Sequence, residues 1–161
     1  MTLIQVMSVF GLALSGYALH VESQVDNPLY VPGCDIQLFG FSASCTKVFK
    51  SEQGHMLSYF GVVPHGHALD VPNAIIGICF YLFALVLPWC VNVDAGLRRG
   101  LMKLAAVAAA VSSAWLATVL HYVLHDFCVV CVSTYVVNAV ILYSALFRGS
   151  GLGGKGKAKR S

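Results

Sequence analysis

The chain has 161 residues, 58% of them hydrophobic and 11% charged, with a formal net charge of +3. A soluble domain carries about a quarter charged residues, so this composition and a mean hydropathy of +0.76 exclude an ordinary soluble protein and point to the membrane. Much of the positive charge lies beyond residue 147, and no basic stripe with interleaved aromatics occurs, which speaks against a nucleic-acid-binding surface.

The first apolar segment runs from about Leu3 to Val21, long enough to span a bilayer. Ser15-Gly16-Tyr17-Ala18 would also suit a signal-peptide cleavage site, but no positive region precedes it, so a retained span is expected. Residues 22–72 form the one long polar connection and hold Cys34, Cys45 and most of the acidic residues. Val48, Phe49, Met56, Leu57, Tyr59 and Phe60 give it apolar faces, which predicts one or two short helices over the bundle mouth. The second segment runs from Asn73 to about Cys90, with Pro88 fraying its last turn. A basic turn at Asn92–Gly100 leads to the third segment, about Leu101 to His125, rich in small residues that let membrane helices approach closely. Asp126 is the expected N-cap of the fourth segment, Phe127 to Phe147. The remaining Gly- and Lys-rich residues form a flexible tail.

Charge sets the topology. Arg98, Arg99 and Lys103 flank the second turn, and Arg148 with the tail lysines follows the fourth segment, so both lie in the cytosol by the positive-inside rule. An even number of spans puts both termini there. The 22–72 connection, the Asp126 turn and four cysteines, Cys34, Cys45, Cys128 and Cys131, then share the opposite, luminal side. The expected fold is an all-α membrane protein: a four-transmembrane-helix bundle over residues 1–148, with a luminal cap at 22–72 containing short helices, and a cytosolic tail at 149–161.

The chemistry centres on Cys128-Val129-Val130-Cys131. Cysteines three apart on a helix face one way and can cycle between dithiol and disulfide. Tyr135 and Asn138 continue the same stripe. Two buried thiols, or half of a metal site, are the plainer alternatives. Cys34 and Cys45 make a second pair on the same side, either a structural disulfide or a shuttle that recharges the first. Cys79 and Cys90 lie about 16 Å apart along one helix and cannot bridge, so both read as packing thiols. Asn73 is a helix cap or a ligand contact. With Gly77, Phe80, Tyr81 and Tyr135 it could hydrogen-bond and stack on a flat, apolar, carbonyl-bearing molecule such as a quinone. His121 and His125 are rim residues, as are His65 and His67, since no third ligand has metal-site spacing.

Five stretches carry a family resemblance: Tyr17-Ala18-Leu19-His20-Val21, Cys34-Asp35, Ser44-Cys45-Thr46-Lys47-Val48-Phe49, Pro72-Asn73 with Phe80-Tyr81, and Asp126-Phe127-Cys128 through Thr134-Tyr135. In this order they resemble the vitamin K epoxide reductase family over nearly the whole chain. Departures are a longer Cys34–Cys45 interval, Gln53 in place of a tryptophan, Val136 after Thr134-Tyr135, and His121 and His125 in place of aromatics. The resemblance implies a four-helix bundle with a luminal cap in the endoplasmic reticulum membrane. It implies reduction of vitamin K epoxide and quinone, with an external dithiol as reductant, luminal thioredoxin-like partners and no tightly bound cofactor. It implies that Cys131 attacks substrate and Cys128 resolves, that Cys34 and Cys45 form the relay, that Asn73 and Tyr135 hydrogen-bond the substrate, and that Phe49, Phe80 and Tyr81 line the pocket. Lys157-Ala158-Lys159-Arg160-Ser161 looks like a cytosolic dilysine retrieval signal. The same residues would equally serve an oxidase that passes electrons from client thiols to a quinone. A non-catalytic scaffold with structural disulfides is the alternative from another class.

Overall fold

Four apolar helices form the body of the protein. In this computed structural model, residues 2–24, 27, 29–33, 36–38, 41–43, 64, 71–90, 92–124 and 128–147 are described. Helix α1 spans Leu3–Gln24. It starts with a reciprocal cap: the Thr2 amide donates to Gln5 Oε1 at 2.9 Å and the Gln5 amide donates to Thr2 Oγ1 at 3.4 Å, so both N-terminal donors are satisfied. Helix α2, Asn73–Val86, begins directly after Pro72 and tightens into a 3-10 turn at Leu87–Trp89, where Pro88 prevents the helix from continuing.

Helix α3, Ala95–Val119, begins six residues before the expected Leu101. The basic turn is therefore largely helical. Asp94 occupies the N-cap position, and the Arg98 guanidinium donates to the Pro88 carbonyl at 3.1 Å, satisfying an acceptor freed at the end of α2. The α3 chain ends in a π-helical turn, Leu120–Leu124. Helix α4 spans Val129–Phe147.

Among the described residues, α1, α4 and α3 with the start of its π turn are long and apolar enough to cross a membrane, and Asn73–Trp89 is a shorter apolar helix. Buried hydroxyls inside these helices bond back to their own chain: Ser8 to the Ile4 carbonyl, Ser113 to Ala109 and Ser144 to Val140, each at 2.8 Å. This removes the penalty of an unpaired polar group in lipid.

The all-α expectation holds for this body. The described part of the long connection instead contains an antiparallel ribbon, β1 (Ile36–Leu38) with β2 (Phe41–Ala43), paired Ile36–Ala43, Gln37–Ser42 and Leu38–Phe41. Ile36 and Phe41 are of residue types enriched in strands. The short cap helices and the tail fall outside the described residues.

Helix α1 packs against α2 and α4, and α3 packs against α4, while α2 and α3 scarcely meet. Two apolar clusters result. One joins Tyr81, Ala84, Leu87, Met102, Ala106, Val137, Ile141 and Ala145. The other joins Ala18, Val21, Leu120, Cys128 and Val130, with Ala74, Cys131 and Tyr135 against it. The C-x-x-C pair thus belongs to the cluster at the end of the bundle where α4 begins. Cys79, expected to pack inside, is exposed on the outer face of α2, whereas Cys90 is half-buried.

Candidate active site

A cavity of about 380 Å³ lies between the helices, within the ~300–1,000 Å³ range of small-molecule sites. All four helices line it. From α2 come Asn73, Gly77, Phe80 and Tyr81; from α4 come Cys131, Thr134, Tyr135 and Asn138. The α3 wall is mostly alanine and serine, including Ala105, Ala108, Ala109, Ser112 and Ser113. These small side chains leave space between α3 and the larger α2 residues Phe80 and Tyr81. The cavity opens sideways there: Ile76 and Ala108 both line it and are exposed.

The two cysteines of the pair take different positions. Cys131 lines the cavity. Cys128 is fully buried beside it, at 0% exposure. Cys128 is also the residue that starts α4. Its carbonyl accepts from the Val132 amide at 3.0 Å, and its Sγ accepts from the Cys131 amide at 3.3 Å. That is the N-cap arrangement expected of Asp126, made instead by sulfur. The helix dipole and a backbone N–H both favour an electron-rich sulfur at this position.

Asn73 is the first residue of α2, after Pro72 at the cap position, and faces the cavity rather than serving as the cap itself. Tyr81 is 2% exposed and forms part of the inner wall. Its hydroxyl donates to Asn138 Oδ1 at 2.8 Å, and Asn138 Nδ2 donates to Ser113 Oγ at 2.8 Å. The Tyr81 proton is therefore committed inside the protein, and Tyr81 acts as a wall rather than a proton donor. Phe80 and Tyr81 meet at 5.2 Å between ring centroids, tilted by 58°.

The structure thus brings Asn73, Phe80, Tyr81, Cys131 and Tyr135 to the wall of a single cavity, with Cys128 buried beside Cys131. Cys34, Cys45 and Phe49 lie outside the described residues, as do His65, His67 and His125. Sequence reasoning missed Glu22 and Ser113 in the lining, and did not give Asn138 a role. The signal for Asn138 was its place on the Cys131–Tyr135 stripe. Ser113 had none beyond a polar residue in an apolar run, and Glu22 was read as the first residue of the polar connection. Among the described residues no group of three or more His, Cys, Asp or Glu side chains is placed to hold a metal.

The sequence model of the vitamin K epoxide reductase family matches residues 2–146. The chain belongs to this family. Vitamin K epoxide reductase complex subunit 1 of Rattus norvegicus is 37% identical over 142 residues, covering 82% of this chain and 80% of that protein. The protein of the same name from Mus musculus is 37% identical over 137 residues, with the same coverage of each chain. The family resemblance read from the motifs is borne out, and with it the expectation of a membrane oxidoreductase. The matched region takes in all four helices up to Leu146, the connection between α1 and α2, and the C-x-x-C pair.

Proposed function

We propose that the protein is a membrane thiol–disulfide oxidoreductase that reduces vitamin K epoxide to the quinone, and the quinone to the hydroquinone. The observation that carries this reading is the exposure of Cys131 to a largely apolar cavity between membrane-spanning helices, in a chain of this family. The Cys131 thiolate attacks an epoxide carbon. A C–S bond forms, a C–O bond breaks, and the released oxygen is protonated to a hydroxyl. The Cys128 thiolate then attacks the Cys131 sulfur, forming the S–S bond and returning the C–S electron pair to the ring, from which water leaves. For the quinone, the same two steps deliver two electrons and two protons. Asn73 and Tyr135 donate hydrogen bonds to the oxygen on which charge develops, in a site that excludes water. Phe49, Phe80 and Tyr81 hold the ring.

The Cys128–Cys131 disulfide must then be reduced. Cys45 attacks it through a mixed disulfide with Cys128, Cys34 resolves to Cys34–Cys45, and a luminal thioredoxin-like dithiol restores the pair.

The relay also requires all four cysteines on one side. In this reading the cap at 22–72 is luminal, both termini are cytosolic, residues 1–148 form the reductase unit with 149–161 as its tail, and the chain resides in the endoplasmic reticulum. Helix α2 with its 3-10 turn is about 25 Å long. It is the fourth crossing element and falls a little short of the ~30 Å hydrocarbon core. The sideways opening between α2 and α3 lets a membrane-dissolved quinone enter.

The test is turnover of vitamin K epoxide, and separately of the quinone, by membranes carrying this chain with a small dithiol, against Cys131→Ser. Epoxide turnover that vanishes in the variant is expected. Quinone turnover alone would restrict the reading to a quinone reductase. Turnover of neither by folded protein would overturn it.

A further inference from the structure

Among the described residues, a hydrogen-bonded run from Tyr81 through Asn138 to Ser113 ties three helices together around the cavity. It runs in one direction. Tyr81 donates to Asn138 Oδ1, Asn138 Nδ2 donates to Ser113 Oγ, and Ser113 donates to the Ala109 carbonyl, each at 2.8 Å. The donation of Ser113 to Ala109 fixes which end of the Asn138 amide faces which neighbour. It thereby fixes Tyr81 as a donor into the protein.

The three residues lie at one depth. Asn138 is two turns beyond Cys131 on α4, Tyr81 just over two turns beyond Asn73 on α2, and Ser113 two turns before Leu120 on α3, each about 10–12 Å from the reactive end. On α2 and α4 the cavity lining stops at this level, at Tyr81 and Asn138, and only the α3 alanines continue past it. A ring entering the site therefore meets Cys131 at one end and this polar layer at the other.

We propose that Asn138, supported by Ser113, is a positioning residue that holds the Tyr81 ring as the inner stop of the cavity and so sets the depth at which a flat ring substrate meets Cys131. The inference rests on the quinone-reductase reading for its substrate. Asn138 touches the ring stop rather than the reacting atoms, and acts through Tyr81.

The experiment compares the full chain with Asn138→Leu, which keeps the volume and removes both hydrogen bonds, with the milder Ser113→Ala, and with Tyr81→Phe alone and combined with Asn138→Leu. Turnover of a naphthoquinone with a small dithiol is measured on protein shown to be folded. Loss of the interhelical bond that holds the Tyr81 ring predicts a kcat lower by about 3- to 20-fold in Asn138→Leu, with KM within about two-fold. Tyr81→Phe combined with Asn138→Leu should fall no further than Asn138→Leu alone, because both break the same run. Unchanged kcat in folded Asn138→Leu, or losses that multiply in the double variant, would overturn the proposal. So would a fall confined to thermal stability. A second readout does not depend on turnover: alkylation of Cys131 by an aryl maleimide relative to a methyl maleimide, followed on the Cys131 peptide by mass spectrometry. The ratio should shift in Asn138→Leu and Ser113→Ala. A constant ratio overturns the positioning role even if the wild type proves inactive on quinones, an outcome that would by itself count only against the reductase reading.

Discussion

Gly11 on α1 faces the ring of Tyr81, and a Cβ placed there would collide with three of its ring atoms. The ring cannot yield cheaply. It is 2% exposed, and its hydroxyl is held by Asn138. Gly11→Ala should therefore force α1 and α2 apart. Overpacking of this kind costs roughly 1–3 kcal/mol, offset by the ~1 kcal/mol by which alanine exceeds glycine in a helix. Because the obstacle is a ring with no free end, the upper part of the range applies, and a net loss of about 2 kcal/mol is expected. By the scaling for soluble chains of this size, that lowers Tm by about 4–8 °C. Gly16 lies on the same helix with nothing within 4 Å of a Cβ, so Gly16→Ala keeps only the propensity gain and should leave Tm level or slightly higher. The assay is thermal unfolding in detergent of wild type, both variants, Tyr81→Leu, and Gly11→Ala combined with Tyr81→Leu. Removing the ring should abolish the cost of the added methyl group. If Gly11→Ala is as stable as Gly16→Ala, or its cost persists without the ring, the packing of Tyr81 over Gly11 is refuted.

On the proposed mechanism Cys128 has two separable duties, resolving the Cys131 adduct and capping α4. Cys128→Ser and Cys128→Ala should both abolish turnover, but serine keeps a capping oxygen, so only alanine should lower Tm, by the equivalent of about 1 kcal/mol. Equal thermal stability of the two would remove sulfur from the capping role. Tyr135→Phe should lower kcat by about a hundred-fold if its hydroxyl supports the developing oxyanion; steady-state kinetics showing a change in KM alone would reassign it to binding. Cys34→Ser should lose turnover driven by a thioredoxin-like protein while keeping turnover driven by a small dithiol. Parallel loss with both reductants would sink the relay.

The apolar segments were legible because each is long and almost free of charge, and their ends were placed closely wherever a proline or a polar run marks them, as at Asn73 and Phe147. The start of α3 was misjudged because Arg98 and Arg99 look like a loop in a membrane sequence, although both are good helix formers and Arg98 bonds to the Pro88 carbonyl. The β1–β2 ribbon was hidden by its length, three residues a strand, too short for alternation to register. Cavity positions on α2 and α4 were readable from helical spacing around Cys131 and Asn73. The Tyr81–Asn138–Ser113 run was not, because its members are separated by 57 and 25 residues. Spacing within one helix cannot report a bond between helices. Cys128 as the cap was obscured by Asp126, the residue type with the stronger cap preference.

The gap between α2 and α3 changes what substrate concentration means for this protein. On the proposed reading, a cavity whose exposed rim residues, Ile76 and Ala108, lie on apolar helices would sample the quinone dissolved in lipid, not the quinone in water. Its KM is then a mole fraction of the bilayer. Adding inert lipid at constant total quinone should slow the reaction by surface dilution, while adding buffer should not. A cell could accordingly raise or lower flux through the site by changing membrane area alone, with no change in the amount of protein or of quinone.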